Sequence, residues 1–308
     1  MAKAGSVNAP ESWPELHLAN WAATRDTLHM WTQIVGHVRM VMTPPVNHWW
    51  HVTLYVTSRG LTTSPIPYPR GTFEIDFDFL AHRLLIRTSR SEKIEFPLEP
   101  MTVANFYAQF MAALHLLGID VKIHSKPDEV PNPIPFATDT THREYDAEYA
   151  QRFWRVLVAV DTVLKEFRGR FLGKCSPVHM FWGSFDLCCS RFSGRPAPQR
   201  PDADAMTREA YSHEVISGGF WPGGTEKDAL VSDAAFYGYA VPQPEGFAKA
   251  AIKPASAFYH DKLGEYILMY EDLRRSPDPR AALLDYLQST YDAGATLGRW
   301  PRESLDRK

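Results

Sequence analysis

Cysteine is scarce in this chain: 308 residues hold three, Cys175, Cys188 and Cys189. Adjacent cysteines are poorly placed to bridge each other, and no CxxC pair offers zinc spacing, so a disulfide scaffold is excluded. The thiols read as small core side chains in a reducing, cytoplasmic setting. Long apolar runs are missing too. No stretch approaches the ~18 apolar residues of a membrane span, and Met1–Pro10 has no apolar export segment, so the expectation is a soluble protein with no membrane partner. Charge of one sign is also lacking: 33 Lys and Arg against 36 Asp and Glu, with no basic block, argues against nucleic acid. There is no GxGxxG after a strand, no Walker A loop, no GxSxG elbow and no HExxH, so the motifs name no cofactor.

The composition that remains is that of an ordinary globular chain, 44% hydrophobic and 22% charged. Four stretches carry apolar residues at helical spacing: Trp21 to Val38, Val103 to Leu117, Tyr145 to Phe167, and Leu283 to Tyr291 after Asp278-Pro279. Between them lie runs with strand composition. In the first half these are Trp49–Ser58, Thr72–Phe79, Leu84–Thr88, Ile94–Leu98 and Val121–His124. In the second half they are His179–Phe192, Tyr211–Ser217, Ala235–Val241 and Tyr266–Tyr270. Helices and strands come in blocks instead of strict alternation, which predicts an α+β fold with mainly antiparallel sheets and packed long helices.

The proline-rich segment 126–142 divides the chain into an N-terminal lobe, 1–125, and a C-terminal lobe, 143–308. Arg195–Asp204 and Gly218–Asp233 read as long ordered loops. Trp50…Ser58-Arg59 and Trp182…Ser190-Arg191 share one internal spacing at equal offsets, a faint match compatible with two duplicated lobes.

The segment HMFWGSFDLCCSRFSGR, His179–Arg195, is the most unusual in the chain. Read as one strand, it puts Phe181, Phe185, Leu187 and Cys189 on one face and Trp182, Ser184, Asp186 and Cys188 on the other. A carboxylate in mid-strand must be paired or neutralised if buried. Arg191 and Arg195 are the nearby partners for an ion pair; the alternative is that Asp186 lines a pocket. Tyr211-Ser212-His213-Glu214 and the glycine-flanked Trp221 form a second cluster, in which His213 shares a strand face with Tyr211. His48, His51, His179, His213 and Glu214 are potential metal ligands, but their spacing matches no metal motif.

FWGSFDLCCSRFSGR, YSHEV, GGFWPGG and FYGYAVPQPEG resemble the signature blocks of a bacterial family catalogued as domain of unknown function 5996. The likeness runs from HWWHVTLYVTSRGLTTSPIPY, His48–Tyr68, to the helix near Tyr286. It implies shared membership and a shared site, with no reaction attached. Cys188-Cys189 stands where the family pattern has small or β-branched residues, which speaks against catalytic thiols.

The expectation from these residues is an enzyme that needs no metal and acts on a small polar or anionic metabolite in a cleft. Asp186 and His213 are its proton-transfer pair, and Arg191 or Arg195 holds the substrate charge. His179 and Tyr211 line the site, and Trp182 or Trp221 forms its apolar wall. Two other readings stand beside it. One is a non-catalytic ligand-binding or interaction protein using the same aromatic and arginine contacts. The other is a metal-dependent hydrolase built on His179, His213 and a carboxylate.

Overall fold

The computed structural model describes residues 11–224 and 230–307; Met1–Pro10 and part of the expected Gly218–Asp233 loop lie outside them. The helical stripes become helices with the caps their sequences call for. The first, α1 (Leu18–Met42), ends at Thr43 before Pro44-Pro45, where an amide donor is missing. The second, α2 (Val103–Leu116), starts at Thr102, whose hydroxyl accepts from the Asn105 amide, and gives out before Gly118 at φ 69°. Next, α3 (Ala147–Gly169) is capped by the Asp146 carboxylate, which accepts from the Glu148 and Tyr149 amides. Short helices α4 (Ala205–Ala210) and α5 (Tyr270–Arg274) precede α6 (Pro279–Leu297), which has Asp278 at its cap and proline in its first turn. A four-residue α7 (Arg302–Leu305) closes the chain.

The strands form two antiparallel sheets, so the fold is α+β. In the first are β1 (Tyr55–Val56), β2 (Gly60–Thr62), β3 (Ile66–Tyr68), β4 (Gly71–Asp78), β5 (Arg83–Thr88) and β6 (Lys93–Pro97). Their order is β1-β2-β4-β5-β6, with β3 also on β4. The second holds β7 (His179–Phe181), β8 (Asp186–Pro196), β9 (His213–Trp221), β10 (Ala235–Val241), β11 (Phe258–His260) and β12 (Glu265–Met269), in the order β11-β12-β10-β9-β8-β7. The sheets touch edge to edge, where Leu54 and Met180 exchange backbone hydrogen bonds of 2.9 and 2.8 Å.

One apolar core runs from Leu16 to Leu305 across both halves. Helix α1 is buried on nearly every side from Thr24 to Arg39, so it lies inside the molecule and not on a lobe surface. The proline-rich stretch 126–142 is itself packed: Phe136 and Asp139 are fully buried.

Several expected strands are differently built. His179–Phe192 is not one strand; it folds into the β7–β8 hairpin, with the chain reversing through Trp182–Phe185 and Phe185 at φ 61°. Gly183-Ser184 supplies the turn chemistry that an unbroken strand would lack. Trp49–Ser58 contributes only β1, preceded by a 3-10 turn at Asn47–Trp49, and Val121–His124 forms no strand. Gly218-Gly219-Phe220-Trp221 is the second half of β9 instead of a loop. Of the residues matched in the faint repeat, Trp50 and Trp182 both lie in turns, whereas Ser58-Arg59 sits in a bend and Ser190-Arg191 in the middle of β8.

Candidate functional site

The two faces of the second sheet differ sharply. Toward α3 and α6, β8 presents Leu187, Cys189 and Arg191, and the register adds Phe220, Ile216, Phe236 and Ala240 from β9 and β10. This is core. The opposite face carries Asp186, Cys188 and Ser190 from β8, then Gly219 and Ser217, then Tyr237 and Tyr239, and Glu265 on β12. Polar groups that period-2 alternation would normally send into water converge here.

Asp186 is only 7% exposed. Its carboxylate accepts from the Ser184 and Tyr237 hydroxyls. Burial raises its pKa, and the two hydroxyls only partly offset that. Burial and then Asp186 push Glu265 up to about 7. Glu129 is raised by burial, then by Asp186 and Asp128. Among the described residues no cation lowers any of the three. Around them, the Tyr237 and Tyr239 rings stack with centroids 6.0 Å apart, the Tyr239 and Tyr211 hydroxyls are 3.1 Å apart, and the Arg200 guanidinium lies 4.7 Å from the Tyr211 ring. Tyr237, Tyr239, Tyr211 and Glu265 are half-buried.

Gly219 makes this possible. It is paired with Tyr237 and lies between Tyr237 and Cys188 in the ladder, so the Tyr237 side chain crosses over it to reach Asp186. A Cβ at position 219 would meet the Tyr237 hydroxyl at 2.5 Å and the Leu187 carbonyl at 2.6 Å. Gly219→Ala is therefore expected to cost about 1–3 kcal/mol by overpacking, although alanine is ordinarily the better strand residue. Chemical unfolding checks it, and a gain in stability would contradict this account of the crossing.

Helix α1 holds the parts that come from the first half of the chain. The His29 imidazole, kept neutral by burial at a pKa of about 3, has Nε2 3.0 and 2.9 Å from the Trp182 and Gly183 carbonyls. Gln33 donates to the Asp128 carbonyl at 2.8 Å and accepts from the Asp128 amide at 3.0 Å. The turn bearing Ser184 and the loop bearing Glu129 are thus tied to one helix, and the Glu129 carboxylate lies directly over Gly183.

The residues singled out from sequence divide into two groups. Asp186 and Trp221 lie on the same sheet face, Trp221 closing β9 at the end beside Asp186, and Tyr211, at the end of α4, reaches that face through the Tyr239 hydroxyl. His213 faces the same way but sits at the other end of β9, eight positions from Trp221, on the order of 25 Å along the strand. Its ring packs by His48 and its Nδ1 is 3.0 Å from the Ser212 hydroxyl, so Asp186 and His213 are not brought together as a proton-transfer pair.

The arginines also turn away from Asp186. Arg191 points to the opposite face, fully buried, with its guanidinium 3.5 Å from the Phe167 ring centroid and 4.3 Å from that of Tyr291, donating to the Phe167 carbonyl. Arg195 pairs with Glu214 at 2.7 Å and donates to the Gly298 and Arg299 carbonyls at 2.6 and 3.1 Å, closing the end of α6. Trp182, in the hairpin turn, packs edge-on against His37 and donates to the Val52 carbonyl at 2.7 Å. His179 is fully buried, its Nδ1 3.3 Å from the Thr53 hydroxyl, and burial with Arg39 nearby lowers its pKa to about 3. Among the described residues no three His, Cys, Asp or Glu side chains converge in a way that could hold a metal ion.

Sequence reasoning missed Tyr237, Tyr239, Glu265 and Glu129. The first two were within reach: they alternate in the Ala235–Val241 run and share a face by period 2. The carboxylates carry no local signal, since each comes under the charge of Asp186 only through tertiary structure.

The fold and site define a two-sheet α+β protein with one acidic, tyrosine-lined sheet face. A model of a family of unknown function, DUF5996, matches residues 13–307, and the chain belongs to that family. No curated protein and no solved structure matches it.

Proposed function

We propose that this protein is an acid–base enzyme for a small polar metabolite, with Asp186 as the proton-transferring group. The observation that carries this reading is a buried carboxyl held by two hydroxyls, with no cation against it among the described residues, whose charge helps raise a second carboxyl on the same sheet face to a pKa of about 7. Glu265 exchanges a proton near neutrality, and burial shifts Asp186 upward as well, the direction general acid–base chemistry requires. Tyr237 orients Asp186 and offers a phenol to the substrate, and Tyr211, Tyr239 and Trp221 form the wall. Three carboxyls favour a neutral or cationic substrate over the anionic one expected from Arg191 and Arg195, which face elsewhere.

A thermal-shift screen of small polar metabolites against wild type, Asp186→Asn and, as a control, Arg195→Ala tests the proposal. Compounds that stabilise wild type and the control are expected to lose their effect on Asp186→Asn. They are also expected to be chemically converted on incubation with wild type. Equal shifts in Asp186→Asn would remove Asp186 from the site, and binding without conversion would favour the non-catalytic reading.

A further inference from the structure

On the helix-covered face of the second sheet, away from Asp186, two cysteines 14 residues apart meet. The stretch before β7 runs beside β8: the Ser176 amide donates to the Ser190 carbonyl at 2.8 Å, the Phe192 amide to the Lys174 carbonyl at 3.0 Å, and Cys175 stands opposite Arg191. Cys189, two residues before Arg191, projects to the same side, and the Cys175 and Cys189 sulfurs are 3.5 Å apart. That is van der Waals contact, and a bond would require the sulfurs to close by about 1.5 Å. Cys188, the sequence neighbour of Cys189, points to the other face of the sheet.

The surroundings of the pair are asymmetric. Cys189 is fully buried, whereas Cys175 is half-buried. Nε and Nη1 of Arg191 are buried without a hydrogen-bond partner, in a guanidinium otherwise enclosed by aromatic rings. A buried cation with unsatisfied N–H groups favours an anion beside it, and Cys175 is the ionisable group across the ladder. The Cys189 thiol donating to Cys175, followed by the positive charges of Arg191 and Arg168, holds the Cys175 thiol below its usual range. Cys189 is raised well above the usual range by its bond to Cys175 and by burial. A packing role for two small side chains does not require the arginine.

We propose that Cys175 and Cys189 form an oxidation site at which a hydroperoxide converts the two thiols to a disulfide. The Cys175 thiolate attacks the terminal peroxide oxygen, the O–O bond breaks, and the alcohol or water leaves with that bond's electron pair and a proton. Cys175 becomes a sulfenic acid. Cys189 sulfur then attacks Cys175 sulfur, the S–O bond breaks, and the oxygen leaves as water with the Cys189 proton. Two thiols are oxidised by two electrons and one peroxide is reduced. Cys188 takes no part.

The test uses the whole purified chain, reduced and then treated with one equivalent of hydrogen peroxide. Of its three thiols, one is expected to remain titratable after denaturation, the intact mass to fall by two hydrogens, and dithiothreitol to restore all three. Proteolytic mapping should find the Cys175 and Cys189 peptides joined. Cys188→Ser should go from two thiols to none, and Cys175→Ser should form no internal disulfide. Three thiols persisting, a mass gain of one or more oxygens without a cross-link, or a cross-link involving Cys188 would each overturn the proposal. Mapping of the unmutated chain decides the matter even where a variant folds poorly.

Discussion

Trp182→Ala is expected to cost about 3–5 kcal/mol of folding stability, the range for removing a large aromatic side chain from a core. Trp182 is 3% exposed, and its indole N–H satisfies the Val52 carbonyl at 2.7 Å, so the truncation leaves a cavity and an unpaired acceptor. The indole also lies against α1 where a side chain is missing: a Cβ on Gly36 would be 2.3 Å from the Trp182 indole nitrogen. Gly36→Ala should therefore be destabilising by about 1–3 kcal/mol in the wild type and nearly neutral in Trp182→Ala, where the methyl enters the vacated space. Urea unfolding of the two single variants and the double variant measures this coupling. Additive losses would show that the contact is relieved by movement of α1 rather than by the indole.

The second large effect is a dependence on pH that runs opposite to ordinary acid denaturation. Glu265 has its pKa raised from 4.5 to about 7, so the folded protein keeps this proton over a range in which the unfolded chain has lost it. The native state then binds more protons and stability falls as pH rises. The contribution is fully present below about pH 4.5 and gone above about pH 7. A shift of this size corresponds to about 3 kcal/mol, and partial solvent access at Glu265 reduces that to about 2 kcal/mol. Glu265→Gln is accordingly expected to match wild type near pH 4 and to exceed it by about 2 kcal/mol near pH 8, measured by chemical unfolding at both. Asp186→Asn should lower the midpoint of the same transition, because the charge of Asp186 is one of the causes of the shift in Glu265. Equal stability differences between Glu265→Gln and wild type at both pH values would mean that Glu265 titrates as an exposed residue does.

The four long helices and most strands were legible because their signals are local. The stripe from Tyr145 to Phe167 and the stop at Gly169 define α3 without reference to the rest of the molecule. The same holds for Asp278-Pro279 at the start of α6 and for the run Ala235–Val241, which is β10 to the residue. Asp186 was conspicuous for a comparable reason: a carboxylate in an apolar run must be explained wherever the run goes.

What local pattern could not fix was the partner of that carboxylate. Proximity in sequence favoured Arg191 and Arg195, yet a strand sends Arg191 to the face opposite Asp186, and α6 draws Arg195 to its end carbonyls. The chosen partners, Ser184 and Tyr237, depend on a hairpin turn and on the pairing of β10 across Gly219. Composition and periodicity thus determined the α+β class, the helices and the importance of Asp186, since each rests on the residues nearest in the chain. The tertiary structure alone decided that Asp186 sits among carboxyls and phenols, that His213 is remote from it, and that Cys175 meets Cys189. Strand register and the packing of α1 set those distances, and neither is written in any single segment.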